Sequence, residues 1–452
     1  MLAEALRLTT SQEDIDELTA QLEAELKECE ATTVSYKNKL KQFMMENDIW
    51  QISELNYYWR EKYCEYLKNR MSKTSCELYI KTFDRVKLHS LRKQPQIILA
   101  GKRQRLEYAD EILYLPYHPN IEIAERFCRE NNKNLLAWDF TLIAAEKLKR
   151  QIFQVLHYFI ENAANSERMH AQLGGLARLY DFCILEQIED LEKLEIDQIE
   201  RFQKTFTTEY QRHYYAGVTY WCGRALFMEA EEIHWDANVW YMERMHLQPE
   251  RIDPAAPIMS LSFAEVTNKE NRKLLQKYLR YGIGIANLSI SSLRTEFLVV
   301  RKFLGDMNQP ETENICMVTE QQMDAWLRSE QQREVQADTF NKKVMCILHF
   351  FQYLQIKDYI TAIPFDPNYY LKKTFMQHHD RSVAQETMDQ IRRNLYRFPE
   401  EVRLMYLHLW GVGLRISEVC TLKGNAYYLQ GKDAWIQAVS YTHLRAHETS
   451  AH

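Results

Sequence analysis

Apolar side chains recur every three or four positions over most of this chain and strict alternation is scarce, so the pattern predicts helices rather than strands. The stretch SQEDIDELTAQLEAELKEC near the start places leucines at helical spacing with acidic residues between them. Residues 35–92 hold three further periodic stretches, SYKNKLKQFMMEN, ISELNYYWREKYCEYLKNR and KTSCELYIKTFDRVKLHSLR, with Ser53 the expected N-cap of the middle one. Residues 96–120 are richer in alternation, turn residues and proline and predict short strands or a linker. A second helical set runs from about 142 to 232 and a third over 289–354. In the third, Leu293, Phe297, Val300 and Leu304 share one face of the first helix, and Phe340, Val344, Ile347, Phe351 and Leu354 one face of the last. The sets share a rhythm: a helix ending in LKQF, LYDF or RKFL, a short polar connection, a helix with an aromatic near its end, then a longer helix. They read as three versions of one helical unit, although unrelated amphipathic helices can also be aligned this way. Pro249, Pro254 and Pro257 interrupt the pattern between the second and third sets, and Pro364 and Pro367 end the third.

Composition agrees with a mainly α fold, because 452 residues contain only 12 Gly and 10 Pro. A prior of about 150 residues per domain gives roughly three units. The expected division is an acidic helix at 1–30, helical modules at 31–135 and 136–250, the second acidic, a basic helical module at 265–375, and a new domain from 380. Nine cysteines lie scattered without a CxxC pair, and the start carries neither a basic nor an apolar leader region. Reduced thiols in a cytoplasmic protein are the expectation. No window reaches the roughly 18 apolar residues of a membrane span, so no membrane partner is expected. His378 and His379 have no companion at ligand spacing, and neither a metal nor another cofactor is expected.

A net charge of −6 argues against nucleic acid until its distribution is considered. Residues 1–30 carry roughly −7 and 160–240 roughly −8, whereas 35–105 carry roughly +9 and 265–305 roughly +5. A solvated helix face explains any one such patch equally well.

The residues from Ser382 carry the most chemistry: SVAQETMDQIRRNLYRFPEEVRLMYLHLWGVGLRISEVCTLKGNAYYLQGKDAWIQ. Ser382 is a candidate helix cap and Pro399 starts a second helix, VRLMYLHLW, which is apolar all round and therefore expected to be buried. Gly411 and Gly413 stop it, and the next helix begins near Arg415, where a guanidinium and unpaired helix N–H groups can face one anion such as phosphate. A surface salt bridge between Arg415 and Glu418 is the plainer reading of the pair.

LWGVGLRISEVCTLKG resembles the first catalytic box of the tyrosine recombinases, with Leu414, Arg415, Ser417, Glu418 and Leu422 in register and Val412 where a threonine is usual. The resemblance implies that Arg415 holds the scissile phosphate, that Glu418 supports the site, and that 380–438 opens an α+β catalytic domain. It also implies a helical, SAM-like core-binding domain at 265–375 that contacts duplex DNA, with Arg294, Arg301, Lys302, Lys342, Lys343, Lys372, Lys373 and Arg381 as candidate contacts. SLRTEFLVVRKFLGDM and TFNKKVMCILHFFQYL look like its first and last long helices. The N-terminal modules look like the additional helical modules of large integrase-like transposases of mobile elements.

In that family a tyrosine hydroxyl attacks a DNA phosphate without a metal, and a second box, His-x-x-Arg, follows about a hundred residues later. YTHLRAHETSAH does not supply that box: His443 and Arg445 are two apart, and Tyr441 precedes them. VSYTHLRAHET is what one frame of a sequencing adaptor encodes, so residues 439–452 are expected to be non-native and the catalytic domain truncated. Lys432 falls too early for the family's hairpin lysine and is expected in a turn. AWIQ is expected to be an opening strand without its hairpin partner, and Tyr427 and Tyr428 to pack against the helices of the box. The expected activity is site-specific DNA recombination and integration, with self-association on DNA in the full protein and no catalysis by this fragment. A DNA-binding accessory protein and a helical-repeat scaffold that binds protein are the competing readings.

Overall fold

The computed structural model describes residues 12–29, 33–94, 98–99, 102–103, 106–130, 132–253, 256–284, 288–307, 313–333, 335–374, 382–420, 422–430 and 433–437. They are mostly helical, as the periodicity requires. The helices used below are α1 (Gln12–Glu28), α2 (Val34–Glu46), α3 (Tyr57–Lys68), α4 (Lys73–Lys93), α5 (Ile121–Cys128), α6 (Glu146–Asn162), α7 (Ser166–Leu185), α8 (Ile196–Lys204), α9 (Glu209–Tyr214), α10 (Val218–Glu229), α11 (Lys269–Gly284), α12 (Ile290–Met307), α13 (Glu320–Gln332), α14 (Ala337–Ile356), α15 (Gln385–Asn394), α16 (Glu400–Gly411) and α17 (Ile416–Cys420). Among the described residues, strands form four two-stranded antiparallel sheets. These are β1 (Ile98–Leu99) with β2 (Lys102–Arg103), β3 (Ile112–Tyr114) with β4 (Ala137–Asp139), β5 (Val239–Tyr241) with β6 (Ser260–Ser262), and β7 (Tyr427–Gln430) with β8 (Asp433–Ile436). No helix among the described residues is long and apolar enough to cross a membrane.

The chain divides into two compact units. The first runs to Leu191 and takes in Ile199–Leu226; the second is Glu192–Gln198 with the residues from Phe227 onward. In the first, the Phe43 ring meets Tyr63 at 4.9 Å and Tyr66 at 5.4 Å, knitting α2 to α3 over a core that includes Leu40, Met44, Phe83 and Val86. In the second, the Phe263 ring meets Trp240 tilted at 4.6 Å and Phe297 edge-on at 5.1 Å, fastening β5 and the end of β6 to α12. Buried Arg272 ties the same region together: it donates to both carboxylate oxygens of Glu195 at 2.9 and 2.6 Å, to Asn238 Oδ1 at 2.7 Å and to the Val266 carbonyl at 2.9 Å. A guanidinium taken out of water is tolerated because its donors are matched in this way.

The helices that end in a phenylalanine motif bury it with one spacing. Leu40, Phe43 and Met44 on α2, Leu179, Phe182 and Cys183 on α7, and Val300, Phe303 and Leu304 on α12 are all buried at positions i, i+3 and i+4. The ends of α2 and α7 also agree. Asp48 and Gln187 take left-handed φ values of 56° and 52°, and the next amide, of Ile49 or Ile188, reaches back to the carbonyl of Met44 or Cys183 at 2.9 Å. The α3–α4 pair and the α13–α14 pair agree too: buried Tyr63, Cys76, Phe83, Val86 and Ser90 stand at the same spacing as buried Leu327, Phe340, Ile347, Phe350 and Leu354.

Several local expectations need correction. Ser53 lies inside a single 3-10 turn, Ile52–Glu54, and the cap of α3 is Asn56, whose side chain accepts from the Trp59 amide at 3.1 Å. Ala384, with no side-chain bond, precedes α15, so Ser382 is not its cap. Most consequentially, α16 is not buried: Val402, Leu404, Leu407 and Trp410 are each 46–48% exposed. Among the described residues its cover is partial and partly polar: the Arg392 guanidinium of α15 lies 4.3 Å from the Trp410 ring centroid, and His408 meets the Tyr427 ring at 5.7 Å.

Replacing Phe303 by Ala is expected to cost about 3–5 kcal/mol, because a fully buried ring at the centre of the α12 stripe would leave a cavity. Urea denaturation followed by circular dichroism measures this; a loss below about 1 kcal/mol would contradict the placement of the stripe.

Candidate functional site

Two places in the second unit present cations: one a single arginine, the other a cluster. The first is the junction of α16 and α17. The chain leaves α16 through Val412 and turns at Gly413, whose φ of +74° is a conformation that glycine adopts without steric cost. Val412 and Leu414 both donate to the His408 carbonyl, at 3.3 and 3.4 Å, so the turn is folded back on the helix. Arg415 follows as the entry to α17. Its backbone N–H donates to Glu418 Oε2 at 2.8 Å and its Nη1 to Glu418 Oε1 at 3.4 Å. The Glu418 side chain is 9% exposed and that of Arg415 58% exposed. One carboxylate therefore holds the backbone tightly and the guanidinium loosely, leaving most of the guanidinium donors unengaged among the described residues.

Below this turn, the Tyr427 hydroxyl bonds His408 Nε2. Tyr427 thus meets a helix as expected, yet it and Tyr428 are half exposed. AWIQ does have a strand partner: β8 pairs with β7 in the register Tyr428 opposite Trp435, and the Gln437 amide bonds the carbonyl of buried Ala426 at 2.8 Å. The sequence carries a signal for this pairing, since the β-prone segments YYLQ and DAWI are separated only by a glycine and a lysine. Only the backbone of Ser417 is described, and Arg381, His378, His379, Lys432, Tyr441 and the 439–452 tail lie outside the described residues.

The second place is the corner between α13 and α14. Glu330 is 2% exposed and accepts from Arg333 Nη1 at 2.6 Å, Lys343 Nζ at 2.7 Å and Lys302 Nζ at 3.2 Å. Burial alone would raise the Glu330 pKa, but the hydrogen bonds from Lys343 and Lys302 outweigh it and hold the group below its ordinary value. Lys302 also pairs with Asp306 at 2.7 Å, so three cations face two carboxylates and the corner keeps a net positive charge. Lys372 joins it, donating to the Gln331 carbonyl at 2.9 Å, while Asn341 clamps the Lys372 backbone through two 2.8 Å bonds.

Lys302, Lys343 and Lys372 are therefore brought together, with Lys342 exposed beside them on α14. Lys373 is exposed as well. Arg294 is exposed near the start of α12, two turns before Arg301. Arg301 is engaged elsewhere: it donates to the Ser262 carbonyl at 3.0 Å and Glu265 at 2.9 Å and is 17% exposed, a tie between β6 and α12. The sequence reading missed Arg333 and Glu330. Glu330 was detectable, because it shares a helical face with buried Met323 and Leu327, an unusual place for a carboxylate without cations around it. No group of His, Cys, Asp and Glu among the described residues is arranged to hold a metal.

Comparison with known proteins now bears on these sites. The chain is 21% identical over 213 residues to transposase B from transposon PsiTn554 of Staphylococcus aureus. It is 22% identical over 211 residues to transposase B from transposon Tn554 of S. aureus strain Mu50. Each match covers 46% of this chain and about a third of the relative, 33% and 32%. The chain is a distant homologue of these transposases. It spans about a third of their length, and neither a protein-family model nor a solved structure matches it.

Glu330→Gln is expected to lower stability by about 1–2 kcal/mol at neutral pH, less than for a fully buried pair because Lys302 and Arg333 are about half exposed. A carboxylate with a depressed folded pKa stabilises above its unfolded pKa and loses that contribution as pH falls through the folded value. The gap between wild type and variant should therefore close on acidification. Urea midpoints across a pH series check this, and a gap that widens towards low pH would refute the charge assignment.

Proposed function

We propose that this chain is the DNA-binding front of a transposase that works by tyrosine recombination. In this reading residues 265–375 grip duplex DNA, and Arg415, supported by Glu418, binds the phosphate to be cleaved. The observation that carries the reading is Arg415 itself: an exposed guanidinium, positioned by a glycine turn and a buried carboxylate, at the position the tyrosine recombinase box assigns to its phosphate-binding arginine. The distant homology to transposases supports it. So does the α13–α14 corner, where cations outnumber the carboxylates they face.

The chemistry asked of these residues is electrostatic. Attack by a tyrosine hydroxyl on a phosphodiester builds negative charge on the phosphoryl oxygens, and a fixed guanidinium stabilises it without solvent reorganisation. The covalent phosphotyrosine bond then conserves the energy needed for rejoining. Glu418 acts by position, anchoring the Arg415 backbone so that the guanidinium is presented rather than folded away. The exposed apolar surface of α16 is the surface that the remainder of the catalytic domain covers in the complete protein, which assembles on DNA in more than one copy.

Two measurements test this. The chain should bind duplex DNA with affinity that falls steeply as salt rises, and Lys342→Ala with Lys373→Ala should lower the salt slope by about 1–2. Salt-independent binding, or none, would remove the DNA reading. In the protein carrying its complete catalytic domain, Arg415→Ala should reduce strand cleavage by at least about a hundredfold while leaving DNA binding within a few-fold. Cleavage at the wild-type rate would sink the catalytic assignment.

A further inference from the structure

Residues 35–105 are positive on balance; Lys41, Arg60 and Arg92 are paired with Glu23, Asp84 and Glu125, and the placement of other cations in this stretch is informative. Counted from the buried positions that α3–α4 and α13–α14 share, Tyr66 stands where Glu330 stands: three residues after buried Tyr63 or Leu327, and seven before the first residue of α4 or α14. In the second unit the cations of this corner converge on a carboxylate. In the first they converge on a neutral ring. The Arg70 guanidinium lies 3.8 Å from the Tyr66 centroid, and Lys39 Nζ, from α2, lies 5.3 Å from it. Lys39 also donates to Gln42 Oε1 at 3.0 Å. Among the described residues no carboxylate pairs with Lys39, Lys68, Arg70 or Lys73.

We infer that this α3–α4 corner is a second duplex-DNA contact surface, with Lys39, Lys68, Arg70 and Lys73 meeting consecutive phosphates. The inference rests on the DNA reading given above and extends it to the first unit. Three physical features favour it. Stacking on Tyr66 holds Arg70 in place, so less side-chain entropy is lost when a phosphate arrives. Lys68, Arg70 and Lys73 stand within one short exposed connection, where each charge can release a counterion from the DNA. The 21-residue helix α4 begins here, capped by Ser72 and with no acidic residue in its first turn, so its dipole adds to the positive field instead of being offset. The corresponding helix α14 carries Asp338 at that place. A phosphodiester backbone is the partner that fits, because Lys39, Lys68, Arg70 and Lys73 carry no paired carboxylate among the described residues and a nucleic-acid strand presents a regularly repeated anion to such a row of charges.

The test uses the whole chain and a fluorescein-labelled duplex of random sequence several helical turns long, with affinity read by anisotropy over a salt series. The variants are Lys68→Ala with Arg70→Ala and Lys73→Ala in the first unit, and Lys342→Ala with Lys373→Ala in the second. All five side chains belong to exposed residues, and unchanged circular dichroism melts confirm that each variant is folded. The first-unit variant should lower the slope of log affinity against log salt by about 2–3, and the charge-conserving Lys68→Arg, Arg70→Lys, Lys73→Arg should restore it. An unchanged slope in the first-unit variant beside a reduced one in the second-unit variant overturns the inference and leaves the DNA reading of the second unit standing. The reverse pattern supports the inference and removes residues 265–375 from the DNA interface. A loss that the charge-conserving variant fails to restore would also overturn it, since phosphate neutralisation requires only the charges.

Discussion

The burial of a three-residue stripe on one helix against the long helix that follows is the constraint on which the rest depends. On α12 the stripe is Val300, Phe303 and Leu304, and α14 closes over it with Phe340, Val344, Ile347 and Phe351. Once those faces are committed to the core, the remaining faces must carry the polar residues, and Lys302 can only emerge at the flank where α13 passes. Glu330 occupies the one core-facing position of α13 that is not apolar, and it draws Lys302, Arg333 and Lys343 to itself. The basic corner is thus a by-product of helix packing: a charge cluster at the place where three helices meet, fixed by hydrophobic contacts on their opposite faces.

The same logic explains what the sequence made legible. Helices with a full apolar stripe, such as α12 and α14, are apparent from periodicity alone, and all nine stripe residues anticipated for them are buried. Caps were less legible, because Ser53 and Asn56 are both good N-cap types and only the 3-10 turn at Ile52–Glu54 decides between them. The apolar helix α16 misled for a different reason. An all-round apolar surface says that a helix needs cover, whereas among the described residues Trp410 and Leu407 remain about half exposed. Strand β7 is harder to see in the sequence because two tyrosines after a helix suit packing as well as pairing, and the antiparallel pairing of YYLQ with DAWI decides between them.

At the Arg415 turn, motif and geometry each contribute something different. In the proposed reading the residue order singles out Arg415, and the backbone determines how it is presented. A left-handed Gly413 and the 2.8 Å bond from the Arg415 amide to Glu418 fix the backbone, while the longer 3.4 Å contact leaves the guanidinium able to exchange a carboxylate for a phosphate. The overall charge of −6 is no obstacle to such a partner, because attraction to DNA acts over about a Debye length and responds to the local balance. Acidic and basic stretches are separated along the chain, so a protein that is negative as a whole still offers positive corners.

Hydrogen exchange, monitored by mass spectrometry on the whole chain with and without duplex DNA, tests the central claim most directly. The account predicts slowed exchange in the connections that lead into α4, α14 and α17, over residues 68–76, 333–343 and 412–420, with the acidic stretch around 196–232 unchanged. Protection confined to that acidic stretch, or none in any of the three connections under conditions where DNA is bound, would contradict it.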